Sequence, residues 1–100
     1  MKEIILSADG DSIVCLVPDP VAENLDEYCM EFCGRWMQTS PHAARYRTKH
    51  GFCYNERDFI DYLNEFVFPQ EKSVFVKNLG WIDNKDKLPK EYQGCPRFNF

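Results

Sequence analysis

The chain is organised around one stretch, residues 20–37 (PVAENLDEYCMEFCGRWM), whose periodicity suits helix and little else. Val21, Leu25, Tyr28, Phe32 and Trp36 recur at helical spacing and fall on one face, with Cys29 at the edge of that stripe and Cys33 further round. Asp19 is placed to cap the first turn, and Pro20 suits the first helical position, where a missing N–H costs nothing. Glu23, Asp26 and Glu27 lie where the helix dipole favours acids, and Glu31 with Arg35 makes an i,i+4 pair on the outer side. Pro41 disfavours helix at the residue before it, so the helix is expected to stop between Met37 and Ser40. An apolar stripe this long needs a sheet or a second helix to cover it.

The flanking segments supply both. Residues 3–7 (EIILS) and 12–17 (SIVCLV) read as two strands of a hairpin, joined through Ala8, Asp9, Gly10 and Asp11. Ile4 and Leu6 oppose Ile5, while Ile13, Cys15 and Val17 oppose Val14 and Leu16. Both faces are therefore apolar, as in strands covered on two sides. Residues 55–67 form the second helix: Asn55 is the N-cap, Asp58 completes a capping box, and Pro69 follows the end. Phe59, Ile60, Leu63, Phe66 and Val67 make its expected buried stripe. Residues 73–77 (SVFVK) read as a further strand, Asn78 to Gly80 as a turn, and Trp81 onward as a polar connector. Residues 42–54 suit either a strand or a loop. The last nine residues hold too many large apolar groups for a free tail, so Phe98 and Phe100 are expected to cover the sheet face that the helices leave open.

These elements predict an α+β fold over residues 1–100 as one domain. It has two layers, with an N-terminal β-hairpin, two amphipathic helices on a small mixed sheet, and a docked aromatic C-terminal segment. A hydrophobic fraction of 44% with 15% aromatics excludes a disordered chain. The net charge of −4 argues against a generic nucleic-acid binder, and no apolar run approaches membrane-spanning length. Five cysteines, an odd number without an export signal, read as reduced thiols in a cytoplasmic protein.

The chemistry-bearing residues cluster in one place. Between Cys33 and Asn55 stand Arg35, Arg45, Arg47 and Lys49 with no acid, leaving eight bases against sixteen acids elsewhere. Arg45, Tyr46, Arg47, Lys49 and His50 are the candidate binding residues, since guanidinium groups beside aromatics suit a phosphate or an acidic protein surface. A solvated charged face explains the same run. Cys29, Cys33, His50 and Cys53 are zinc-competent in type, but a helical i,i+4 cysteine pair lacks the usual knuckle, so packed thiols are the expectation and no metal or other cofactor is assigned. Cys53 with His50 or His42 lacks a recognisable nucleophile turn, and Asp9 with Asp11 lacks the remaining ligands of a calcium loop, so no catalytic residue is assigned.

The expected function is thus a small non-catalytic cytoplasmic protein that binds another protein, of an inhibitor or immunity-like kind known in bacteria, with homodimer formation as one form of that binding. The rival is a phosphate- or nucleic-acid-binding module built on residues 42–50. A zinc or thiol enzyme ranks third. The two-sided apolar strands need a second cover, either residues 81–100 or another chain, and residues 81–100 are the expected one.

Overall fold

A computed structural model describes residues 1–100 except Asp9 and Asp83, and except the side chain of Lys85. The hairpin forms as the alternation requires. Strand β1 (Lys2–Ser7) pairs antiparallel with β2 (Asp11–Val17), placing Ile4 opposite Cys15, Ile5 opposite Val14 and Leu6 opposite Ile13. The hairpin turn includes Asp9, which lies outside the described residues. Ile4, Leu6, Cys15 and Val17 enter the helix-side core, whereas Ile5 and Val14 enter a second core on the opposite face.

The first helical region runs from 19 to 39 but is not uniform. Helix α1 (Asp19–Glu23) is separated from α2 (Leu25–Met30) by Asn24 at φ −133°, ψ 42°. The Asn24 backbone N–H keeps the helical bond to the Pro20 carbonyl at 3.1 Å, and its side-chain Nδ2 donates to the same carbonyl at 3.1 Å, a local bond that competes with further winding. The helix then widens into a π turn at Glu31–Trp36 before α3 (Met37–Thr39). Pro18 occupies the N-cap, and the Asp19 carboxylate pairs with the Met1 ammonium at 2.8 Å in place of capping. The Glu31–Arg35 pair forms.

Residues 42–54 resolve into a 3-10 segment (Pro41–Tyr46) and a miniature hairpin of β3 (Arg47–Thr48) and β4 (Gly51–Phe52). Helix α4 (Glu56–Tyr62) starts on the full Asn55–Asp58 capping box and also widens into a π turn, Leu63–Val67. Tyr62 takes a buried place on its stripe, while Phe66 is left part-exposed.

The two π turns meet. Trp36 lies 4.8 Å from Tyr62 and 5.5 Å from Phe66, ring centroid to centroid. Phe32, fully buried, contacts Trp36, Tyr54, Phe59, Tyr62 and Phe100 with ring centroids 5.1–5.9 Å apart. It is the hub of the helix-side core.

The four-stranded sheet has the order β5-β2-β1-β6, with β5 (Val74–Trp81) antiparallel to β2 and β6 (Arg97–Asn99) parallel to β1. No parallel crossover through the first helix exists, because β2 and β5 run in opposite directions. The C-terminal segment docks differently from expectation. Phe98 pairs with Leu6 and, with Phe100, packs into the helix-side core. The open face is instead covered by Leu88 and Tyr92, with Ile82 and Cys95 beside them, carried on two 3-10 turns. The second face is thus covered from within residues 81–100, as expected, but by Leu88 and Tyr92, isolated among lysines and turn residues, and not by Phe98 and Phe100. No helix among the described residues is long and apolar enough to cross a membrane.

Phe32→Ala removes a fully buried ring from five aromatic neighbours. It is expected to cost about 3–5 kcal/mol, read as a lower denaturation midpoint in urea. Phe52→Ala, at a ring 41% exposed, is expected to change the midpoint little.

Candidate partner-binding edge

Strand β5 is positioned by a side-chain clamp at its start. Asn64, in the π turn after α4, donates from Nδ2 to the Ser73 carbonyl at 3.0 Å and accepts from the Ser73 N–H at 2.6 Å. The Lys72 ammonium donates to the Asn64 carbonyl at 3.0 Å. These bonds tie the helix to the entry of the strand.

The strand itself is irregular. Its register against β2 shifts twice, between the pairs Val14–Lys77 and Cys15–Phe75 and between Ser12–Gly80 and Ile13–Asn78. Val76 and Leu79 are the extra residues, so Asn78 and Gly80 belong to a bulged strand and not to a free turn. Asn78 braces the second bulge, donating from Nδ2 to Asp11 Oδ2 at 3.1 Å and accepting the Gly80 N–H at 2.7 Å. Gly80 has φ 78°, which an L side chain rarely adopts. The bulges bring Phe75, Asn78 and Trp81 opposite Cys15, Ile13 and Asp11.

Although β5 is as apolar as the hairpin, it is not covered like it. Ile4, Ile5 and Leu6 are at most 1% exposed, yet Val74 is 47%, Phe75 37%, Val76 49% and Trp81 67% exposed. As the last strand on its side of the sheet, β5 also has one flank without a ladder partner among the described residues. Phe75 lies under the Arg57 guanidinium, 4.8 Å from carbon to ring centroid.

Two hollows open on β5. One of about 760 Å³ is bounded by Val76, Leu16, the first residues of β1, Ala22 and Glu23 of α1, and Cys95 and Pro96, and it meets β5 at Val76 alone. The other, of about 260 Å³, is bounded by Glu56, Arg57, Phe75, Val76 and Lys77, on the helix side. Val76 lines both.

The basic stretch is largely spoken for. Arg47 donates from Nε to the Met37 carbonyl at 3.3 Å and from Nη2 to the Ser40 carbonyl at 3.0 Å, closing the end of the first helix. Arg45 stacks on Tyr46 at 4.8 Å and reaches Glu65 at 3.9 Å. The Tyr46 side chain belongs to the core, and burial pushes its phenol up. Lys49 and His50, on the turn of the β3–β4 hairpin, stand exposed, with no side-chain hydrogen bond or ion pair among the described residues. His42 packs its ring on Phe66 at 4.8 Å.

The thiols are free and dispersed. Cys15 is buried and its thiol is lifted from 9.0 to about 12 by desolvation; burial pushes Cys29 up as well. Cys33 lies half-buried beside Tyr54, whose phenol burial pushes up, and Cys53 is exposed at the surface. Among the described residues no group of three or more His, Cys, Asp or Glu side chains is gathered as for a metal ion.

Comparison with protein-family models, with curated proteins and with solved structures gives no match. The β5 edge is therefore argued from its own residues. One signal for it was present in the sequence: Lys77, a charge within an otherwise apolar strand, marks strands at sheet edges.

Asn64→Ala leaves the Ser73 N–H and C=O without their partner. It is expected to cost about 1–3 kcal/mol and to speed amide exchange at the start of β5 before the rest of the sheet. For the thiols, iodoacetamide is expected to label Cys53 in the native protein and to leave Cys15 and Cys29 unlabelled until unfolding, as mass spectrometry would show. Because the Cys15 pKa is raised in the folded state, its contribution to stability is full below pH 9.0 and falls as pH rises towards about 12; alkaline titration of the urea midpoint checks that direction.

Proposed function

We propose that this chain is a small non-catalytic protein-binding domain whose recognition element is β5. The observation that carries the reading is the contrast within one sheet: Ile4, Ile5 and Leu6 of β1 are sealed on both faces, while β5 holds three consecutive apolar side chains and a tryptophan in solvent beside a flank unpaired among the described residues. Exposed apolar surface of this kind is retained where something covers it, and buried tryptophan is the commonest anchor of protein interfaces. Strand addition supplies main-chain hydrogen bonds and lets side-chain hollows set specificity.

An inhibitor or immunity-type role is the most specific form of the reading, since occlusion and complementarity need no reactive centre. Five free thiols favour a reducing compartment such as the cytoplasm. The rival use of residues 42–50 on phosphates is weakened by the engagement of Arg45 and Arg47 within the chain itself.

The test is affinity isolation from the source cell with the tagged chain and with Val76→Lys and Trp81→Lys, both at exposed positions. The parent is expected to recover a partner in near-stoichiometric amount. Each variant is expected to lose it while keeping the parental melting temperature within a few degrees. Recovery of no such partner by the parent, or equal recovery by the variants, rejects the reading.

A further inference from the structure

Resting on the reading of this chain as a protein binder, though not on β5 as its only contact, we infer that a partner seats a basic segment in the hollow between Val76 and Glu3. The segment carries an apolar side chain beside an arginine or lysine. Leu16, Val76, Ala22, Cys95 and Pro96 give this hollow apolar walls, and its volume of about 760 Å³ lies in the range of sites that enclose a small ligand.

Glu3 decides the occupant. It pairs in register with Leu16, so its side chain stands on the same face of the sheet as Leu16. Burial and then the Glu3 charge push the Cys95 thiol up, which agrees with a carboxylate close to that wall of the hollow. The cations nearby are taken: Lys2 pairs with Glu23 at 3.3 Å and the Met1 ammonium with Asp19 at 2.8 Å. Glu3 has no ion pair among the described residues. Apolar walls with one open carboxylate suit a long cationic side chain, which buries its methylene stem and keeps its charged head at the acid. Arginine can also engage both carboxylate oxygens.

The surroundings carry the same sign. A second hollow, of about 470 Å³, shares Ala22, Glu23 and Pro96 with the first and is bounded further by Asp26, Glu27 and Arg97. Asp26 and Glu27 are exposed and in no ion pair among the described residues, so with Glu3 they outnumber the Arg97 guanidinium. A segment that leaves the first hollow past Pro96 therefore meets acids. The net charge of −4 on the whole chain acts in the same direction.

The test selects binders to the full chain from a random-peptide phage library, measures the enriched peptides by fluorescence anisotropy, and maps them by hydrogen exchange. Peptides with an apolar residue beside arginine or lysine, slowing exchange in residues 2–5, 22–27 and 94–97, are the expected result. Glu3→Lys should weaken them by about tenfold, and Glu3→Gln, which keeps the side-chain shape, several-fold. Trp81→Lys should leave them unchanged, and glutamate in place of the peptide's basic residue should restore affinity for Glu3→Lys. Peptides that protect these residues but are acidic, or that bind Glu3→Lys as well as the parent, overturn the inference. Peptides that protect residues 74–81 and are lost with Trp81→Lys overturn it and leave the reading of β5 standing. No enrichment overturns it too, and affinity isolation with Trp81→Lys then decides the β5 reading by itself. Self-association abolished by Glu3→Lys and by Lys49→Glu replaces the partner with a second copy.

Discussion

The structure depends on one constraint: the β1–β2 hairpin is apolar on both faces and has to be covered twice. Ile4, Leu6, Cys15 and Val17 need one layer, Ile5 and Val14 another. The helices provide the first. The second comes from the way the chain returns. β5 and β6 run in the same direction with β2 and β1 between them, so residues 82–96 must cross the sheet to reach the far side of β1. In crossing they lay Leu88 and Tyr92 on Ile5 and Val14. The crossing ends where β6 begins, and it passes over the centre of the sheet, which leaves β5 with its apolar side chains in solvent. Exposure of β5 is thus a consequence of topology in a chain of one hundred residues.

On the helix side the covering is aromatic. Phe32 holds together groups from four parts of the chain, namely Trp36 on its own helix, Tyr54 in the loop before α4, Phe59 and Tyr62 on α4, and Phe100 at the end. The π turns at Glu31–Trp36 and Leu63–Val67 coincide with this cluster, where two helices bring Trp36, Tyr62 and Phe66 together. The second π turn also carries Asn64, whose amide grips Ser73. Aromatic packing and the placement of β5 are therefore linked through a single turn of backbone.

Much of this was legible from local signals. The period-2 alternation gave the hairpin, the 3.6 period gave both helical regions, and Asn55 with Asp58 gave the start of α4 to the residue. What was not legible depends on contacts distant in sequence. Phe98 was assigned to the wrong face because its side follows from pairing with Leu6, a partner ninety-two positions away in the chain. Leu88 and Tyr92 show no period, so nothing local marks them as core. The same limit applies within the basic stretch. Arg47 looks like a free cation in sequence, and only the fold shows its guanidinium closing the carbonyls of Met37 and Ser40. At the edge, residues 73–77 read as a strand with apolar side chains on both faces, and the alternation of Val and Phe cannot say which strand comes last in the sheet.

The edge carries devices against its own kind. Lys77 places a charge in the strand, two bulges break the regular ladder, and the side chain of Asn78 is spent on Asp11 and Gly80. These are the means by which natural sheets avoid pairing edge to edge. They are concentrated from Val76 onward, while Val74 and Phe75 carry no charge of their own. Residues 72–82 hold two lysines and no acid, so a second β5 laid against the first meets like charge. Lys77 and the two bulges therefore act against self-pairing at a strand whose apolar side chains stand in solvent.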